Sequence, residues 1–143
     1  MNERDPALAA FDQLIGTWAT EATHPQFDGV VGGSITFAWL EGGHFLIQRG
    51  RTDREEFPDS IAIIGAPESG DGLVMEYFDS RGVRRTYRVA VDDGVLRIWR
   101  DDPEFAQRFQ AALDPNAFDG EWQLARTPGD WHDDLRMRYR RQA

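Results

Sequence analysis

The 143-residue chain contains no cysteine. That excludes a disulfide framework, a thiol nucleophile and any cysteine metal site. Lysine is missing too, and all 16 basic residues are arginine, a usage that fits a genome-wide compositional bias better than a function. No apolar run reaches the roughly 18 residues that a membrane-crossing helix needs. Residues 1–15 have neither the basic leader nor the apolar segment of a signal peptide, so the expectation is a soluble, cytoplasmic protein. Positive charge is scarce, at a net −9, which argues against nucleic-acid or anionic-membrane partners. The single basic cluster, Arg136, Arg138, Arg140 and Arg141, reads as a solvated strand face. The three histidines, His24, His44 and His132, lack metal-ligand spacing, so no metal site is expected. Ser34, Ser60, Ser69 and Ser80 show no nucleophile elbow. The glycine-containing turns at 41–44 and 68–72 open no helix and are not phosphate loops.

What is present is alternation. Asp5 caps a short helix with Pro6 at its first position and Leu8, Phe11 and Ile15 on one face, ended by Gly16. Strand-like runs follow at 17–24, 34–39, 45–51, 60–65, 73–78, 84–91, 95–100, 105–113, 120–126 and 131–141, joined by Gly/Asp/Pro turns. A meander of this length most simply removes its two edges by closing. The expected fold is all-β, an antiparallel up-and-down barrel of about ten strands, in a single domain spanning 1–143.

Turn positions carry one face from strand to strand. A two-residue turn at Asp93-Gly94 pairs Val91 with Leu96, Val89 with Ile98 and Tyr87 with Arg100. A symmetric turn over 79–82 pairs Phe78 with Val83, Glu76 with Arg85 and Val74 with Tyr87. Together they predict one inward face, apolar except for Glu76, Arg85, Tyr87 and Arg100 at one end. The turn at Pro128-Gly129 predicts Trp122, Leu124, Trp131, Asp133, Leu135, Met137, Tyr139 and Arg141 inside. The Gly42-Gly43 hairpin allows His44, Leu46 and Gln48 inside, or Phe45, Ile47 and Arg49, and the first is preferred. Phe105, Gln107 and Phe109 are expected inside, with Arg108 and Trp99 outside.

A charge inside a barrel needs a partner, because an isolated buried ion costs several kcal/mol. Glu76 and Arg85 form a pair, structural or functional, and Arg100 leaves one positive charge over, which suits a carboxylate or phosphate head group. The candidate site is therefore Glu76, Arg85, Tyr87, Arg100 and Gln107, with His44 at its rim. Phe37, Trp39, Val89, Ile98, Phe109, Leu135 and Met137 would surround an apolar body. Binding of a small hydrophobic or amphiphilic molecule, without a cofactor, is the expectation. Alternatives are an enzyme using Glu76 as general acid/base with Arg100 stabilising negative charge, a haem barrel with His44 on the iron, and a structural domain with a filled interior. The oligomeric state, a homodimer included, is left open.

Gly16-Thr17-Trp18, on a first strand after a short helix, resembles the calycin superfamily of lipocalins and fatty-acid-binding proteins. The resemblance implies that Trp18 closes one barrel end and that Arg141, in Tyr139-Arg140-Arg141, packs over it. More of the chain is similar to a family of short, functionally uncharacterised bacterial lipocalin-like proteins. The matching stretches are Gly43-His44-Phe45-Leu46, Asp59-Ser60-Ile61-Ala62, the run from Tyr77 to Val83, Trp99-Arg100, Phe105 to Phe109, and the ending from Trp131 to Arg141. Nitrobindin-like haem barrels are more distantly similar. These likenesses imply a calycin-type barrel and no established activity.

Overall fold

The computed structural model describes residues 5–142. Ten strands follow one helix: β1 (Gly16–His24), β2 (Phe27–Trp39), β3 (Leu46–Thr52), β4 (Ser60–Gly65), β5 (Leu73–Asp79), β6 (Arg84–Asp92), β7 (Val95–Arg100), β8 (Ala106–Ala112), β9 (Ala117–Ala125) and β10 (His132–Arg141). Each pairs antiparallel with its sequence neighbours, and β10 returns to β1, so the barrel is closed. The β6–β7 turn is the expected two-residue one, with both Asp93 and Gly94 at positive φ (52° and 75°), and it pairs Val91 with Leu96 and Val89 with Ile98. That backbone twist matches the twist of the flanking strands.

Pro6–Leu14 is a 3₁₀ helix, capped by Asp5, whose carboxylate accepts the Ala7 N–H at 2.9 Å. Its three-residue repeat buries Leu8, Phe11 and Leu14, each at most 1% exposed. Leu14 thus takes the place expected for Ile15, because a 3₁₀ turn eclipses positions three apart. The helix seals one barrel end together with Trp18, which is 0% exposed. The indole N–H of Trp18 donates to Leu14 O at 2.9 Å, and Phe118 meets its ring edge-on with centroids 5.0 Å apart. The Arg141 guanidinium lies 4.3 Å from the Trp18 ring centroid. It donates to the carbonyls of Gln13, Ile15 and Pro115 at 2.5, 2.8 and 2.6 Å. Gly16 has φ +127°, and a Cβ there would stand 2.8 Å from Arg141 Nη1.

Two registers depart from the sequence reading. The β5–β6 loop is one residue shorter than a symmetric 79–82 turn: Asp79 N–H donates to Val83 O, Gly82 N–H donates to Asp79 O, and Gly82 has φ +85°. A type I turn followed by a left-handed glycine makes a three-residue loop. Glu76 therefore pairs with Thr86, and Met75 with Tyr87. Strand β5 is turned over, so Leu73, Met75 and Tyr77 share the face of Arg85 and Tyr87, while Val74, Glu76 and Phe78 face out. In β10 the register shifts between Asp133 and Arg136. This bulge, an extra residue in one strand, puts Asp134 rather than Asp133 on the inner side. Asp133 instead accepts from Gln123 Nε2 on the outer wall at 3.0 Å. Trp131 is outside as well, under the Arg108 guanidinium, which lies 3.9 Å from its ring centroid.

Candidate ligand-binding cavity

The barrel encloses a cavity of about 910 Å³. Its deep part is mainly apolar, with Ile35, Phe37, Met75, Ile98, Phe109 and Trp122 on the wall beside Thr20 and Tyr139, and the Trp18 plug closes the end beneath. The opposite end is ringed by the β1–β2, β3–β4, β5–β6, β7–β8 and β9–β10 connections. There the wall turns polar, with His24, Tyr77, Arg81, Arg85, Gln107, Arg126 and Asp134. A largely apolar well with a polar mouth fits the general form of a small-molecule site.

Charge at the mouth is unevenly paired. Asp79 is engaged by Arg81 (Nη2–Oδ2 2.7 Å) and accepts the Tyr77 hydroxyl at 2.8 Å. The Arg81 bonds, followed by the Tyr77 hydroxyl and the Arg81 amide, hold this carboxyl well below its ordinary range. Burial, reinforced by Asp79, pushes the Tyr77 phenol up. Asp134 meets His24 Nε2 at 3.1 Å, while His24 Nδ1 accepts the Gln26 N–H at 3.0 Å. Arg85 and Arg126 lie against the same ring, Phe105, at 5.1 and 5.0 Å from its centroid. Among the described residues no carboxylate comes within 4.0 Å of either guanidinium. Deeper, the Tyr87 hydroxyl donates to Gln107 Oε1 at 2.7 Å. Burial raises the Tyr87 phenol, and the approach of Arg85 as a hydrogen-bond donor, followed by the charges of Arg85 and Arg100, offsets part of that rise.

The full barrel has counterparts among solved structures. The crystal structure of Rv2717c from M. tuberculosis superposes with a TM-score of 0.71 at 16% identity, over 99% of this chain and 100% of that one. The fatty-acid-binding protein 1 of Echinococcus granulosus superposes with a TM-score of 0.65 at 13% identity, over 92% and 99%. The fold is calycin-like. No protein-family model and no curated protein sequence matches the chain.

Within this calycin-like barrel the expected site residues separate. Arg85, Tyr87 and Gln107 line the cavity together. Glu76 does not: the turned-over β5 places it on the outer wall, where it accepts the Thr86 hydroxyl at 2.9 Å. It does not pair with Arg85 and does not line the cavity, so the acid/base role drawn for it has no access to the interior. Arg100 shares the inward parity of Tyr87, yet its Nη2 donates to Asp102 at 3.1 Å. It borders a separate outer depression with Thr86, Arg88 and Trp99. The spare positive charge is thus carried by Arg85 and Arg126, not by Arg100.

The preferred β3 register holds for Leu46 and for Gln48, which lines the cavity. His44, however, is exposed in the preceding turn and offers no nitrogen to the interior. Of the histidines, His24 reaches the cavity wall with both ring nitrogens engaged, a poor fit to haem iron. Of the residues expected around the apolar body, Phe37, Ile98, Phe109, Leu135 and Met137 line the cavity; Val89 and Trp39 lie in the core outside its lining. Tyr77, Arg126, His24 and Asp134 were missed. The turn type hid Tyr77, the bulge hid Asp134, and Arg126 and His24 sit at strand ends where alternation gives no face.

Proposed function

We propose that the protein binds a small amphiphile, its apolar body in the barrel and its anionic head at the mouth between Arg85 and Arg126. The observation that carries this reading is the pair of arginines against Phe105 without a carboxylate partner among the described residues. Guanidinium groups suit carboxylate and phosphate because their N–H donors match those oxygens in pairs. Tyr87 and Gln107 form a fixed hydrogen-bonded ledge just inside. The fatty-acid-binding neighbour supports hydrophobic cargo in general, and the two arginines at the mouth support an anionic head.

Calorimetric titration with dodecanoate and with uncharged dodecanol tests it. Dodecanoate is expected to bind more tightly. The double variant Arg85→Gln/Arg126→Gln should lose about tenfold or more of the dodecanoate affinity, since a charged hydrogen bond contributes about 1.5–3 kcal/mol. Arg100→Gln should change it by less than about twofold, its charge being paired with Asp102. Equal binding of the acid and the alcohol, or an unaffected double variant, would remove the head-group assignment.

A further inference from the structure

The deep wall holds a polar group that an unsubstituted hydrocarbon tail cannot satisfy. Tyr139 is 7% exposed and lines the cavity. Its ring is stacked on Phe118 with centroids 4.5 Å apart and a 16° interplanar angle, and Phe118 in turn packs on the Trp18 plug. Its hydroxyl makes no hydrogen bond to any described residue, and burial alone raises the phenol. Directly across the strand pair stands Thr20, 7% exposed and also on the cavity wall. The Thr20 hydroxyl has no described hydrogen-bond partner either. Gly33 lies opposite Thr20 on β2; a Cβ there would clash first with the Arg51 carbonyl and also stand 3.2 Å from Thr20 Oγ1, so no side chain covers this hydroxyl from that position. Two adjacent inward hydroxyls without protein partners, at the far end from the arginines, are costly to cover with methylene groups, because a buried polar group left unpaired forfeits its hydration.

We infer that the cargo is an oxygenated amphiphile: an acid whose buried chain carries a hydroxyl or carbonyl group that hydrogen-bonds to Tyr139, with Thr20 beside it. This rests on the amphiphile reading and adds to it a second polar contact, deep in the barrel. A site that hydrogen-bonds a ligand oxygen discriminates against the analogue lacking it, since its own polar groups are then stranded. Tyr139 and Thr20 are the specificity-determining residues of this pocket, while Arg85 and Arg126 supply the head-group attraction common to both kinds of acid.

The test uses dodecanoate and three monohydroxylated dodecanoates, with the hydroxyl on carbon 8, 10 or 12, titrated by calorimetry into wild type and Tyr139→Phe. At least one hydroxylated acid is expected to bind wild type tenfold or more tighter than dodecanoate. In Tyr139→Phe that ratio should fall to within threefold. The ligand-free Tyr139→Phe protein should melt no lower than wild type, because the hydroxyl it loses has no protein partner; a melting point several degrees lower would reveal one and overturn the inference. Dodecanoate binding as tightly as every hydroxylated acid would overturn it as well, showing that water satisfies the deep hydroxyls, and would leave the amphiphile reading standing. If none of the four acids binds, both readings fall together.

Discussion

Arg141 satisfies three backbone carbonyls and covers one indole ring with a single guanidinium. The carbonyls belong to Gln13, Ile15 and Pro115, so one side chain ties the helix end, the start of β1 and the β8–β9 loop together. A planar fork with several fixed N–H donors can do this; an ammonium on a flexible stem cannot address three oxygens and a ring face at once. Arg141→Lys is therefore not a conservative change even though it keeps the charge. It is expected to cost about 2–3 kcal/mol, the scale of one or two lost charged hydrogen bonds, readable as a lower denaturation midpoint in urea. The absence of a side chain at Gly16 belongs to the same arrangement, since a Cβ would press on Arg141 Nη1 at 2.8 Å.

At the scale of elements, the face of β5 decides what the cavity contains. Because the chain has no native cysteine, a single introduced thiol reports one position without background. Glu76→Cys is expected to react with a maleimide at a rate near that of a free thiol, and Met75→Cys, at a position 3% exposed, to be strongly protected. The reverse pattern would restore the symmetric turn. The strands themselves were legible because alternation and turn residues are local signals, and the β6–β7 register followed from a turn whose length Asp93-Gly94 dictates. What misplaced Glu76 was the loop length, which depends on Gly82 adopting a left-handed conformation after a type I turn. Asp at the first turn position and Gly at the fourth is the chemistry of that loop, so the signal was present. The β10 bulge had no such marker: nothing in Asp133-Asp134-Leu135 announces which residue is the extra one. Arg85, Tyr87 and Gln107 were found because their faces rest on β7 and β8, away from both irregularities.

For the molecule as a whole, pH acts from two sides. Asp79 is held low by Arg81, and Asp102 and Asp114 by the backbone N–H groups of Glu104 and Asn116. A carboxyl whose folded pKa lies below its unfolded one contributes stability that is complete above about pH 4–5 and is lost as pH falls towards the folded value. Tyr77, Tyr87 and Tyr139 are all raised by burial. Their contribution is complete below about pH 10, where the unfolded phenol ionises, and fades as pH rises above it. Urea midpoints are thus expected to be level across neutral pH and to decline at both extremes. Asp79→Asn should lower the neutral plateau and flatten the acid decline, whereas a variant curve merely displaced downward in parallel would show that Asp79 does not carry the acid dependence.

The seam between β1 and β10 sets when the molecule can exist at all. Trp18 lies opposite Arg141 across that seam, two residues separated by nearly the entire chain. Every other strand pairing joins sequence neighbours and can form progressively during synthesis, but this one waits until β10 has been made. Until then β1 and β9 are open edges, each offering unpaired N–H and C=O groups to any passing strand. Contacts so distant in sequence also slow the final step of folding. The nascent barrel therefore remains an unfinished sheet until β10 emerges, with its plug residue waiting for a partner, and its exposure to misassembly is greatest just before β10 joins.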